Sequence, residues 1–142
     1  MIIILDLSSK AVDANRATSP AQPVTAGARQ GEQRMAITIH IRYTGIDGNA
    51  RKFAEEMEST GTADAVRAEA GNLRYEYCIP MKEPETVLLI DAWNDQAALD
   101  VHHASPMMAA IAALREKYDL HMTVERFCSL DDQPEDDRYI RR

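Results

Sequence analysis

Histidine takes up a proton near neutral pH without a large shift of its pKa. The chain holds four: His40, His102, His103 and His121. His102 closes the stretch Ala98-Leu99-Asp100-Val101-His102, shortly after Trp93, the chain's one tryptophan. It is a candidate general base, the alternative being a helix-end histidine bonded to a backbone carbonyl. Trp93 suits the wall of a flat aromatic site, or a core or interface anchor. Tyr75 offers a hydroxyl to a bound oxygen, or is a core tyrosine satisfied within the protein. Asn94 either orients a substrate hydroxyl or caps the next helix. His40, Arg42 and Arg74 stand on the less apolar faces of their strands. They hold an anionic ligand if that face lines a cavity, and form a polar or interface patch if it does not. His103 points about 100° away from His102 around a helix and reads as surface. His121 reads as structural.

The same inventory disfavours metals and common cofactors. The histidines are scattered without an H-E-x-x-H or facial-triad spacing, and Cys78 and Cys128 stand fifty positions apart with no C-x-x-C pair. Two reduced thiols are expected. No glycine-rich strand-to-helix loop exists for a flavin or nicotinamide. The expectation is a site without cofactor or metal.

The elements that must carry these residues are legible as changes of period. Ile37, Ile39, Ile41 and Tyr43 alternate with Thr38, His40 and Arg42, which predicts a two-faced strand. After the Gly45–Gly48 turn, Asn49 is expected to cap a helix with Phe53, Ala54 and Met57 on one face. Gly61 breaks that helix, which resumes through Val66 and closes at Gly71-Asn72. Leu73, Tyr75, Tyr77 and Ile79 predict a second strand, ended by Pro80. A third, Thr86–Trp93, follows as its hairpin partner, and its run Val87-Leu88-Leu89-Ile90 suits a central strand covered on both faces. Asn94-Asp95 offers a cap to a short helix, Gln96–His102, and Ser105-Pro106 restarts it, with Ser105 expected to cap and Pro106 at the first helical position. In that last helix Met107, Met108, Ile111 and Leu114 read as core, with an inner edge fit to wall a pocket. Leu120, Met122 and Val124 alternate as a fourth strand.

Strand, helix, two strands, helix, strand is the ferredoxin-like β-α-β-β-α-β order, an α+β fold with one antiparallel sheet and its helices on a single face. The other face carries Ala36, Thr38, Leu88, Ile90, Ala92 and Phe127, so a second sheet is expected to cover it and the chain to form a homodimer.

Residues 1–34, rich in Ala, Ser, Thr, Gln, Gly and Pro, read as a flexible N-terminal extension. The domain is expected over 35–128, with 129–142 an acidic solvated tail. The chain has 142 residues, 45% of them hydrophobic and 27% charged, with a formal net charge of −7. That is one soluble domain's worth of sequence. Its acidity, without any basic stripe, disfavours nucleic acid and anionic membrane as partners. No apolar run is long enough for a membrane span, and the N-terminus lacks a secretory pattern, so the cytoplasm is the expected location.

The segments Gly71-Asn72-Leu73-Arg74-Tyr75-Glu76-Tyr77, Leu89-Ile90-Asp91-Ala92-Trp93-Asn94-Asp95, Ala98-Leu99-Asp100-Val101-His102 and Ser105-Pro106, in this order, resemble the antibiotic-biosynthesis monooxygenase family. The resemblance covers roughly Ala36 to Phe127. It implies a dimeric ferredoxin-like barrel and cofactor-free oxygenation of a quinol or other electron-rich aromatic by O2. It places His102 at the family's helix histidine and Trp93 at its strand-end aromatic. Some relatives of this fold degrade haem with a histidine in the last helix; Pro106–Lys117 has none. Two other readings use the same pocket: an isomerase or lyase acting on a small carbonyl compound, and a dimeric ligand-binding module without chemistry.

Overall fold

The structure, a computed structural model, describes residues 35–131 and 133–142. The expectations for residues 1–34 lie outside the described residues. Four strands, β1 (Ile37–Thr44), β2 (Asn72–Cys78), β3 (Thr86–Trp93) and β4 (His121–Cys128), form one antiparallel sheet in the order β2-β3-β1-β4. Between β1 and β2 run α1 (Asn49–Ser59) and α2 (Thr62–Arg67); between β3 and β4 run α3 (Gln96–His103) and α4 (Met107–Lys117). This is the predicted ferredoxin-like order, with both helical segments split in two.

The breaks follow local chemistry. Gly61, at φ 76°, is the left-handed residue that separates α1 from α2. Asn49 is not the cap expected of it. Gly48 takes that place at φ 74°, and the Asn49 side chain instead donates to the Tyr118 carbonyl and accepts from Lys52. Between the two candidates ahead of α3 it is Asp95, not Asn94, that caps, accepting from the Ala98 N–H at 2.9 Å. Ser105 does not cap α4 either: Pro106 occupies the cap position, and the Ser105 hydroxyl is buried without a partner.

Strand alternation divides the sheet into two unlike faces. Ile37, Ile39 and Tyr43 of β1, Tyr75 of β2, and Val87, Leu89 and Trp93 of β3 are buried with Phe53 and Met57 of α1, Val66 of α2, Leu99 of α3 and Ile111 of α4. Each such aliphatic or aromatic side chain contributes about 1.5–3 kcal/mol by leaving water. The opposite face holds Thr38, His40, Arg42, Leu88 and Ile90, all partly exposed, and Phe127, which is 46% exposed. No element of the described residues covers it. β3, expected to be covered twice, is therefore covered once within the chain.

Beyond β4, the expected solvated tail is exposed throughout its described residues and carries a short 3-10 helix, Pro134–Tyr139. Among the described residues no helix is long and apolar enough to cross a membrane.

Candidate active site

A cavity of about 250 Å³ lies between the helix-covered sheet face and helices α3 and α4. Its walls are mostly aliphatic: Ile39 and Ile41 from β1, Leu89 from β3, Val124 from β4, Leu99 from α3, Met108 and Ile111 from α4. Into this apolar space project a few polar groups, the usual composition of a small-molecule site.

His102 is the first of them. Asp95 starts α3 seven residues earlier, and two turns of helix bring His102 over the sheet, where it is buried to 4% exposure. Its Nδ1 meets Glu69 Oε2 at 2.5 Å, and its ring stacks on Trp93 at 4.9 Å between centroids and 29° between planes. The ring is thus fixed on one edge by a carboxylate and on one face by an indole. Nδ1 is occupied by Glu69, which leaves Nε2 as the other ring nitrogen. Glu69 belongs to the turn between α2 and β2, whose approach to α3 is tight. A Cβ built on Gly71 would lie 2.5 Å from that of Ala98, and Gly71 itself has φ 90°.

Asp91 is the second polar group, in the middle of β3 and 4% exposed. Burial raises its pKa from 3.8 to about 6; the nearby His102, the Trp93 indole N–H and the Asn72 amide pull in the other direction. The Asn72 amide stands 3.5 Å from Asp91 Oδ1, while the Trp93 N–H has no partner within normal hydrogen-bond geometry. A carboxyl group that titrates near neutrality beside a pinned imidazole gives the cavity two proton-exchanging groups.

The third is Tyr75, paired across the sheet with Asp91. Its hydroxyl lies 3.3 Å from that of Tyr77, and burial raises the pKa of both phenols, so they act as neutral hydrogen-bonding groups. At the far side Arg115 of α4 sits with its guanidinium carbon 5.7 Å from the centre of the Tyr43 ring.

The structure therefore brings together His102, Trp93 and Tyr75. Trp93 backs His102 and is fully buried rather than walling the cavity directly. Asn94 lies apart, lining a shallow depression with Gly71, Ala98 and Val101. His40 is on the wrong side of the sheet for this cavity: it belongs to the open face, its ring 4.8 Å from Phe127. The period of two that makes Ile39 and Ile41 cavity residues forces His40 between them to the other side. Arg42, pairing with Glu83, and Arg74, pairing with Glu76 at 2.5 Å, share that exclusion. His103, read as surface, is exposed yet reaches the cavity rim. Among the described residues no group of three metal-ligating side chains gathers.

Three residues of the site escaped the sequence reading. Asp91 carried a signal, since alternation with Leu89 and Trp93 sets it on the buried face. Arg115 carried one too, following Met108 and Ile111 at helical spacing. Glu69 carried none, because it meets His102 only through a turn folded against a helix 33 residues away.

The antibiotic biosynthesis monooxygenase family model matches residues 36–114, more than half of the chain. The chain belongs to that family. A search of curated proteins finds no match. Solved structures show the same fold at low identity. SnoaB from Streptomyces nogalater, described as a cofactor-independent oxygenase, is 16% identical with a TM-score of 0.58, over 70% of this chain and 98% of its own. A candidate antibiotic biosynthesis monooxygenase from Deinococcus radiodurans is also 16% identical, at TM-score 0.60 over 68% of this chain and 95% of its own. A Pseudomonas aeruginosa protein reaches 22% identity and TM-score 0.61, over 71% and 100%.

Proposed function

We propose that this protein is a cofactor-independent monooxygenase that oxidises a small quinol or other electron-rich aromatic with O2. The observation that carries this reading is His102 on the wall of an apolar cavity, held from behind by Glu69 and Trp93, a base fixed in position where an aromatic ring has room to lie. Family membership supports it, as does the described activity of SnoaB.

The chemistry needs a substrate that supplies its own electrons. His102 Nε2 takes a phenolic proton, and Glu69 stabilises the imidazolium so formed. The resulting anion passes one electron to O2, and the radical pair recombines to form a carbon–oxygen bond. The imidazolium returns its proton to the peroxide, and where the oxygenated carbon still bears its one hydrogen, loss of that hydrogen with cleavage of the O–O bond leaves a carbonyl: one oxygen atom stays in the product and the other departs as water. The apolar walls exclude solvent, and the neutral Tyr75 hydroxyl can donate to the developing oxyanion.

Oxygen uptake by the purified protein, offered a panel of naphthoquinols and polyphenols, tests this directly. Uptake above the spontaneous rate is expected, falling by about 100-fold or more in His102→Ala. Uptake that His102→Ala leaves unchanged would remove the base from the scheme.

One observation favours a second reading. Asp91 beside His102 supplies a second proton-exchanging group, which suits an isomerase or lyase acting on a small carbonyl compound without O2. Turnover that persists under anaerobic conditions would select it.

A further inference from the structure

Arg115 follows Met108 by seven residues and Ile111 by four on α4, so the apolar stripe that lines the cavity ends in a guanidinium. Its Nε is fully buried and has no hydrogen-bond partner. Among the described residues no carboxylate forms an ion pair with it, whereas Arg42 and Arg74, both outside this cavity, each pair with one, and Arg67, also outside it, pairs with two. A guanidinium drawn out of water without an anion is unfavourable, and its planar fork fits a carboxylate better than any neutral group. A second cation, Arg126 of β4, stands at the same cavity and is engaged by the Gln96 side-chain oxygen.

The sheet register separates Arg115 from the acid–base pair, whereas Arg126, which faces Ile39, lies at the Asp91 end. Asp91 faces Ile39 of β1, and Tyr43, which Arg115 overlies, is four residues further along that strand, about 13 Å at the rise of a β-strand. Aliphatic side chains of β1, β3 and α4 fill the interval. One end of the cavity therefore exchanges protons and the other offers an unmatched positive charge.

We infer that the substrate is an aromatic acid whose carboxylate docks on Arg115, which turns the opposite, hydroxyl-bearing edge toward His102. The inference rests on the reading of the cavity as an aromatic oxygenation site. Arg115 then sets specificity in two ways: it selects acids over neutral phenols, and it fixes which edge of the ring is deprotonated.

Calorimetric binding of 6-hydroxy-2-naphthoate, whose hydroxyl and carboxylate stand at opposite ends of the ring system, and of 2-naphthol to the full chain tests it without calling on oxygen chemistry. The acid is expected to bind roughly tenfold tighter or more than the phenol, the scale of a charge-assisted hydrogen-bonded pair. In Arg115→Met, which keeps the aliphatic stem, that preference should collapse to about unity; Arg115→Lys should retain part of it. Equal affinities in the unmodified protein overturn the inference, and so does a preference that survives in Arg115→Met. If Arg115→Met does not fold, the comparison of the two ligands on the unmodified protein, with Arg115→Lys, decides alone. Acid binding without oxygen uptake would sink the oxygenase reading and leave the anion site standing. Uptake on neutral quinols with no preference for acids would do the reverse.

Discussion

Asp91 shows how a single buried group ties stability to the site. Its pKa is raised in the folded protein from 3.8 to about 6, so between these values the folded state binds more protons than the unfolded one. Stability present below about pH 4 is lost as the pH rises through 6. Asp91→Asn removes that loss. It is expected to stabilise the protein at pH 7 by about 3 kcal/mol at most, with no gain at pH 3.5, as read by denaturant unfolding at the two pH values. A gain of the same size at both would mean that ionisation is not its source. In the proposed reaction Glu69 acts through His102, which it contacts. Glu69→Gln should keep the fold but lower kcat about tenfold or more on whichever aromatic the protein turns over, because the imidazolium loses its counter-charge. Unchanged kcat would make the pair structural only.

The elements set these side chains in place, and their boundaries show what a sequence discloses. Alternation marked β1, β2 and β3 because a slip by one residue would expose their buried side chains; β4 alternates too, although every one of its residues is exposed in the single chain. The same alternation excluded His40 from the cavity once the helix-covered face was known, which is a tertiary fact. Helix starts were less legible. Asn49 and Ser105 have good capping side chains, but the chain enters these helices through a left-handed Gly48 and an already helical Pro106, and neither side chain caps. Asp95, in contrast, does cap, and so sets the register that delivers His102 to Glu69 and Trp93. Gly71 matters for the same delivery: at φ 90°, with Ala98 against it, it admits no side chain. Gly71→Ala is expected to cost about 2 kcal/mol or more in chemical denaturation, from left-handed strain and overpacking together. A cost below 0.5 kcal/mol would mean that α3 is free to shift, and that His102 is held less firmly than described.

At the scale of the whole molecule, one sheet face is covered by four helical segments and the other by nothing in the described residues. Ile90, Leu88, Thr38 and Phe127 on that open face make a second copy the expected cover, with the two sheets packed about 10 Å apart. Sedimentation should give twice the chain mass, and Ile90→Asp should return a folded monomer; a monomeric unmodified protein would contradict this. The family and its α+β fold were legible because motif order and element order agree. The acid–base cluster was only half legible, since Glu69 reaches His102 across the fold rather than along the chain. The central claim remains chemical: a pinned histidine in an apolar cavity makes an aromatic reactive toward O2. Mass spectrometry of product formed under 18O2 tests it most directly. One 18O atom per product molecule is predicted, at a rate that collapses in His102→Ala. Product that carries no label from 18O2, or that forms equally well without oxygen, would contradict the account.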